Sequence, residues 1–261
     1  MIVTTAGKNA NKIRSKAEKI ALTLKCSFLV REKQSISSII EEYKDDVMMI
    51  GVDKISFHPK EGTAPFFFHP NSSMFRVKQI LRGETDPLIE ALKLKQGMSV
   101  LDCTLGLGSD SIVASLATGE QGSVTGIESS KAISFVVESG LKIWDSQVSD
   151  MNEAMRRIQV IHANHFDYLK KCKTNSYDVV YFDPMFESTI QSPGLEGLKG
   201  SANYSSITPE IITEAKRVAS QRVVMKDNKK SSKFQELGFD VIQRNAGFIF
   251  GVIEKRGVKN D

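Results

Sequence analysis

Apolar residues recur at helical spacing from Asn11 to Leu24. Ile13, Ala17, Ile20, Ala21 and Leu24 fall on one side, and Lys12, Arg14, Lys16 and Lys19 on the other. Strand-like runs surround this helix at Ile2 to Thr5, Ser27 to Val30, Val47 to Val52 and Lys54 to His58, with a second helical stretch at Ile36 to Tyr43. The pattern predicts a small N-terminal α/β unit over residues 1–70, a candidate RNA-binding element. His58 to Ser73 (HPKEGTAPFFFHPNSS) concentrates Pro, Gly, Ser and aromatic residues, which marks a connection and a boundary near residue 70. Phe66, Phe67 and Phe68 are expected to pack between the units, with a stacking platform for bases as the functional alternative.

Beyond residue 71 the period alternates between helix and strand. Helices are expected at Ser73 to Leu81 and at Pro87 to Leu94, where Asp86 caps and Pro87 takes the first helical position. Strands fit Ser99 to Cys103, Ser123 to Ile127, Ile158 to His162, Tyr177 to Phe182, Gln221 to Met225, Phe239 to Gln243 and Gly247 to Glu254. Helices fit Ser109 to Thr118, Ser130 to Trp144, His165 to Lys173, Pro209 to Ser220 and Ser231 to Leu237. Five strand-to-helix steps and a terminal strand pair predict an α/β fold over 71–261. Its doubly wound, seven-stranded, mostly parallel sheet would carry a ligand crevice at the strands' carboxyl ends. Gln191 to Asn203 is Gly- and Ser-rich and reads as a loop over that crevice.

Composition adds limits. The 261 residues are 41% hydrophobic and 25% charged, enough for a large core. No apolar run approaches the roughly 18 residues needed to span a bilayer, and the first residues lack the apolar segment of a secretory signal, so a cytoplasmic protein without a membrane partner is expected. Cys26, Cys103 and Cys172 are far apart and read as reduced structural thiols. His162 and His165 lie three apart without a third ligand, so no metal is expected. The net charge is only +4, but Lys8 to Lys33 carries an excess of six positive charges, a face suited to phosphates or simply to solvent.

The strand ends carry the candidate chemistry. YDVVYFDPMF, Tyr177 to Phe186, is a buried-strand run that stops at Asp183-Pro184-Met185-Phe186, where proline ends the ladder, a carboxylate precedes it and an aromatic ring follows. An acceptor beside a ring suits an amino group on a flat base. The first core strand runs into LDCTLGLGSD, with Asp102 at its end, Thr104, Gly106 and Gly108 in the turn, and Ser109 and Asp110 opening the helix. The third glycine of a dinucleotide fingerprint is missing, and two acids would repel a pyrophosphate. The second strand ends at Glu128-Ser129, where a carboxylate can accept both hydroxyls of a ribose, and the third ends at Asn164-His165, level with an adenine. An acidic loop, an acidic second-strand end and a polar third-strand end together describe S-adenosylmethionine as cofactor.

The chain resembles class I S-adenosylmethionine-dependent methyltransferases, with LDCTLGLGSD as the first motif and YFDPMF as the fourth. It is more narrowly similar to the RsmJ family of small-subunit ribosomal RNA guanine-N2 methyltransferases in LDCTLGLGSD, RIQVIHAN, VVYFDPMF and RVVMK, in that order. The resemblance covers roughly Ser99 to Met225. It implies that Ser109, Asp110, Glu128, Ser129, Asn164, His165 and Asp183 line the cofactor pocket and that the substrate is an RNA base.

In that reading Asp183 and the Pro184 carbonyl would accept the N–H groups of an exocyclic amine. Phe186 would stack on the base or serve as a packing residue, Met185 would contact the substrate, and Lys226, with Lys229, Lys230 and Lys233, would hold phosphates or face solvent. Glu187 to Gln191 follow the turn where the similar family carries a basic stretch. This keeps open a small-molecule or protein amine as substrate. A third reading is a non-catalytic RNA-binding or ribosome-assembly module with the same fold.

Overall fold

The computed structural model describes residues 1–61, 64–184, 207–244 and 246–255, in two compact units. Met1–His69 together with Ser130–Gly140 forms the first. The described residues of 70–129, 141–184 and 207–255 form the second.

The first unit opens with β1 (Ile2–Thr5), α1 (Ala10–Leu24), β2 (Ser27–Phe28) and α2 (Ile36–Tyr43), and continues with β3 (Val47–Ile50), β4 (Ile55–His58) and β5 (Phe66–Phe67). Its five-stranded sheet has the order β2-β1-β3-β4-β5, parallel across the first three strands and antiparallel across the last. Ile13, Ala17, Ala21 and Leu24 bury the inner stripe of α1, as its periodicity predicts, and Lys12, Arg14, Lys16 and Lys19 are exposed. The side chain of Ser35 caps α2 by accepting from the Ser38 N–H at 2.9 Å. β5 is a strand the sequence reading did not foresee. Phe66 is fully buried in it, and Phe68 lies so close to Gly140 that a Cβ there would meet its ring at 2.2 Å.

The second unit begins with α3 (Asn71–Leu81) and α4 (Pro87–Leu92), and the Asp86 cap accepts from the Leu88 N–H at 2.9 Å, as predicted. The βα succession follows: β6 (Ser99–Asp102), α5 (Ser109–Thr118), β7 (Ser123–Glu128), α6 (Lys131–Ile143, which belongs to the first unit through Gly140), α7 (Ser149–Arg157), β8 (Gln159–His162), α8 (His165–Lys171) and β9 (Tyr177–Phe182). Beyond 206 come α9 (Pro209–Val218), β10 (Ala219–Asn228), α10 (Lys233–Glu236), β11 (Asp240–Ile242) and β12 (Phe248–Glu254). The seven strands run β11-β12-β10-β9-β6-β7-β8, with only β12 antiparallel to its neighbours. This is the expected doubly wound sheet.

Two differences have physical causes. α7 was not foreseen, because only Met151, Ala154 and Met155 of its nine residues form a buried stripe. β10 begins at Ala219 rather than Gln221, since the chain pairs with β9 there before a register shift restores the ladder at Arg222.

The strand faces explain which residues are structural. Asp178 near the start of β9 accepts from the Ser99 N–H and hydroxyl at 2.8 and 2.9 Å and from Ser220 and Gln221 at 3.0 Å, so this carboxylate ties the amino ends of three segments together. Gly126 in the middle of β7 leaves room for Leu105 of the loop after β6. A Cβ at 126 would come within 2.4 Å of Leu105 Cδ1 and 3.0 Å of its Cγ. Gly126→Ala is therefore expected to cost about 1–3 kcal/mol and to weaken S-adenosylhomocysteine binding by displacing the loop. Urea unfolding and calorimetry on one preparation measure both effects.

Candidate active site

Ladder register brings the candidate strand ends level. Asp102 pairs with Gly126 and Tyr181, Phe182 with Met225, and Glu128 with His162. The carboxyl ends of β6, β7, β8, β9 and β10 therefore share one edge, with Asp183, Ser129 and Lys226 at or just past it.

The loop after β6 is built by its own side chains. Asp102 Oδ1 accepts from the Thr104 N–H at 3.0 Å, and Oδ2 from the Ser111 hydroxyl at 2.7 Å, which ties the strand end to the first turn of α5. Gly106 and Gly108 take φ of 50° and 74°, the left-handed region that glycine adopts without strain, and Gly108 donates to the Leu105 carbonyl at 2.7 Å. Thr104 Oγ1 accepts from the Asp183 N–H at 2.6 Å and so joins this loop to the turn after β9. Ser109 shares a 2.9 Å hydroxyl contact with Ser72 of α3.

Asp110 is the hub of the charges. Its Oδ1 accepts from Arg76 Nη1 at 2.5 Å, and its Oδ2 accepts from the Tyr181 hydroxyl at 2.7 Å and from Lys226 Nζ at 3.1 Å. Arg76 also forks onto Asp86 with two bonds of 2.8 Å. Lys226 Nζ makes its shorter bond, 2.7 Å, to Asp183 Oδ2.

Environment separates the three acids. Burial acts against the Asp110 charge, but Lys226 and Arg76 outweigh it and hold this carboxyl well below the usual range. Burial pushes Asp102 up to about 6, against the Ser111 and Thr104 hydrogen bonds. Burial also pushes Asp183 up to about 7, with Asp110 and Asp102 adding to the rise and Lys226 opposing it.

The other predicted positions lie along the same edge. Glu128 is nearly buried at the end of β7, and the Ser129 carbonyl accepts from His162 Nε2 at 3.0 Å. Asn164 Oδ1 is engaged as the cap of α8, accepting from the Phe166 N–H at 2.9 Å and the Asp167 N–H at 3.3 Å. His165 is buried, meets Phe182 edge-on with centroids 6.2 Å apart, and its Nε2 has no protein partner among the described residues. Pro184 is the last described residue of the turn. Met185 and Phe186, and with them Glu187 and the Gln191 to Asn203 loop, lie outside the described residues.

Arg76 and Tyr181 are site residues that sequence reading missed. A tyrosine within a buried strand needs a partner for its hydroxyl, and that requirement was the available signal for Tyr181. Arg76 gave none, because it sits among the polar positions of α3.

The donor set fits S-adenosylmethionine. Asp102, Asp110, Asp183 and Glu128 stand along one edge; Lys226 bonds Asp110 and Asp183, and Arg76 bonds Asp110 and is shared with Asp86. The excess of acid suits a sulfonium and an amino group and disfavours a pyrophosphate. His165 Nε2, buried and without a protein partner among the described residues, is a candidate polar atom for a base at the end of β8.

The model of a family described as putative SAM-dependent methyltransferase matches residues 47–245. The protein YpiP of Bacillus subtilis is 40% identical over 97% of this chain and 99% of its own length. Ribosomal RNA small subunit methyltransferase J of Nitrosococcus oceani is 28% identical over 69% of this chain and 72% of its own. A crystal structure of a SAM-dependent methyltransferase from Neisseria gonorrhoeae superposes with a TM-score of 0.64 at 15% identity, covering 99% of this chain and 97% of that one, which shows the fold. With the acids along the strand ends and the seven-strand order already in place, these matches establish that the chain belongs to the SAM-dependent methyltransferase family and is a class I S-adenosylmethionine-dependent methyltransferase resembling RsmJ.

Proposed function

We propose that this enzyme methylates an exocyclic amine of an RNA base, the N2 of a guanine in small-subunit ribosomal RNA. The observation that carries the reading is Asp183. Its carboxylate stands at the carboxyl end of β9, on the cofactor edge, and already accepts from a primary ammonium, that of Lys226, at 2.7 Å.

When bound, S-adenosylmethionine supplies a methyl group activated by a positively charged sulfur. The chain's own residues then have to orient a weak nucleophile, because the lone pair of an exocyclic amine is delocalised into its ring. Asp183 and the Pro184 carbonyl accept the two N–H groups and favour a pyramidal nitrogen with its lone pair turned outward. Both contacts strengthen as positive charge grows on that nitrogen, so they act on the transition state more than on the bound substrate. A carboxyl pushed up to about 7 is also suited to receive the proton the nitrogen sheds after transfer.

Several surface features support an RNA substrate. Lys229 and Lys230 are exposed just beyond Lys226, at the end of β10. On α3, Phe75 is 66% exposed and Lys78 is exposed one turn further on, with Arg82 exposed at the helix's C-terminal cap. The relatives named ribosomal RNA methyltransferase J support the ribosomal choice. A second reading, a protein or small-molecule amine, draws on the fact that the group Asp183 holds is an alkyl ammonium.

Methyl-labelled cofactor separates the two readings. Label should enter unmodified small-subunit ribosomal RNA and not a nucleic-acid-free metabolite extract; the reverse distribution favours the second reading. Glu128→Ala is expected to weaken S-adenosylhomocysteine binding about 10–100-fold, for two lost hydrogen bonds to a charged acceptor. Calorimetry reads this without any substrate, and unchanged affinity would remove Glu128 from the ribose.

A further inference from the structure

Lys226 lies just past the buried apolar stretch Val223 to Met225 of β10, with its side chain only 17% exposed. A lysine that holds substrate phosphate keeps its ammonium in solvent, whereas this one turns inward. It bonds Asp183 at 2.7 Å and Asp110 at 3.1 Å and lies 5.1 Å from the centroid of the Phe248 ring.

The geometry points to Lys226 as a positioning residue: its ammonium favours the ionised form of the Asp183 carboxyl, so that the carboxylate can accept the N–H groups of the target amine. This goes beyond the proposed methylation of a base amine and rests on that reading only for its catalytic consequence.

The groups around Asp183 explain why a cation is required. From β6 and α5, Asp102 and Asp110 place negative charge beside it, and from β9 the Tyr181 hydroxyl is spent on Asp110. Arg76 of α3 reaches Asp110 and Asp86, not Asp183, and Arg244 lies over the rings of Phe248 and Phe250. Among the described residues Lys226 is the cation bonded to Asp183 itself. Without it, burial and two neighbouring carboxylates would all favour the protonated acid, and a protonated carboxyl can offer one fewer acceptor to an amine.

Lys226 is also protected from becoming a substrate. Burial works against its ammonium, but Asp110 and Asp183 outweigh that and hold it above the ordinary lysine range. A protonated nitrogen has no lone pair to attack a methyl group.

The test is a carboxyl-carbon NMR titration of the full-length, cofactor-free protein, with the Asp183 resonance assigned by its loss in Asp183→Asn. The wild-type midpoint is expected at about pH 7. Lys226→Met should move it alkaline by about one unit or more, while Lys226→Arg, which keeps the charge, should hold it within about 0.3 units. Lys226→Gln provides the uncharged comparison if the Met variant does not fold. Equal midpoints in wild type and the uncharged variants would overturn the assignment.

A second arm uses the transfer reaction. The uncharged variants should lose about threefold or more in kcat near pH 7.5 and recover as pH rises, since the acid limb follows the Asp183 titration. A pH-independent rise in KM with a shallower salt dependence would instead make Lys226 a phosphate contact. If the wild type transfers no methyl group to RNA, the proposed substrate fails, and the NMR arm still decides the role of Lys226.

Discussion

Asp183→Ala is expected to lower methyl transfer by about 10²–10³-fold in kcat while leaving S-adenosylhomocysteine affinity within a few-fold of wild type. The split follows from where Asp183 stands. It caps the carboxyl end of β9 beside the cofactor loop, anchored through its own N–H to Thr104 Oγ1 at 2.6 Å, so removing the side chain leaves that backbone bond in place. What disappears is the acceptor that gains strength as charge develops on the attacking nitrogen, so the loss falls on kcat more than on KM. Asp183→Asn keeps the shape and one carbonyl acceptor without the charge, and should fall between wild type and Ala. Single-turnover measurements with labelled cofactor separate chemistry from product release. Full activity in the Ala variant would remove the clamp from the mechanism.

The second large effect is on stability. Asp110→Ala is expected to cost about 3–5 kcal/mol, because it removes the partner shared by Arg76, Lys226 and a buried Tyr181 hydroxyl. All three donors are less than a quarter exposed, so water replaces the lost bonds poorly. The pH dependence has a definite sign. Asp110 is held below the usual carboxylate range in the folded protein, so its contribution is fully present above about pH 5. That contribution is lost as pH falls through about 4 toward its folded value. Urea unfolding of wild type and Asp110→Ala should therefore differ most near neutral pH and converge in acid. A difference that grows on acidification would contradict the ion-pair account.

Much of this was legible from the residues. Buried parallel strands read as unbroken apolar runs, and the Asp86-Pro87 pair announced α4 because one side chain caps and the other cannot donate. The acids at the strand ends were legible because a chemical group at the end of an apolar run has a defined place in such a sheet.

What the sequence withheld was pairing between distant segments. Arg76 and Asp110 stand 34 residues apart, and Lys226 and Asp110 116 apart, which no local period can report. The sequence therefore left Lys226 between holding phosphate and facing solvent, whereas its ammonium is taken up by two carboxylates. α7 escaped because its buried stripe consists of two methionines and an alanine among polar residues, too thin for the helical period to stand out. Met185 and Phe186, assigned to the base from sequence, lie outside the described residues, so base stacking remains a proposal carried by the motif.

The most direct test of the account identifies the methylated nucleoside. Small-subunit ribosomal RNA from a strain lacking this protein is incubated with the wild-type enzyme and methyl-labelled S-adenosylmethionine, digested to nucleosides and separated by mass. The account predicts label in N2-methylguanosine, lost with Asp183→Ala. Label in a ribose or a ring carbon, or undiminished transfer by the Ala variant, would contradict it.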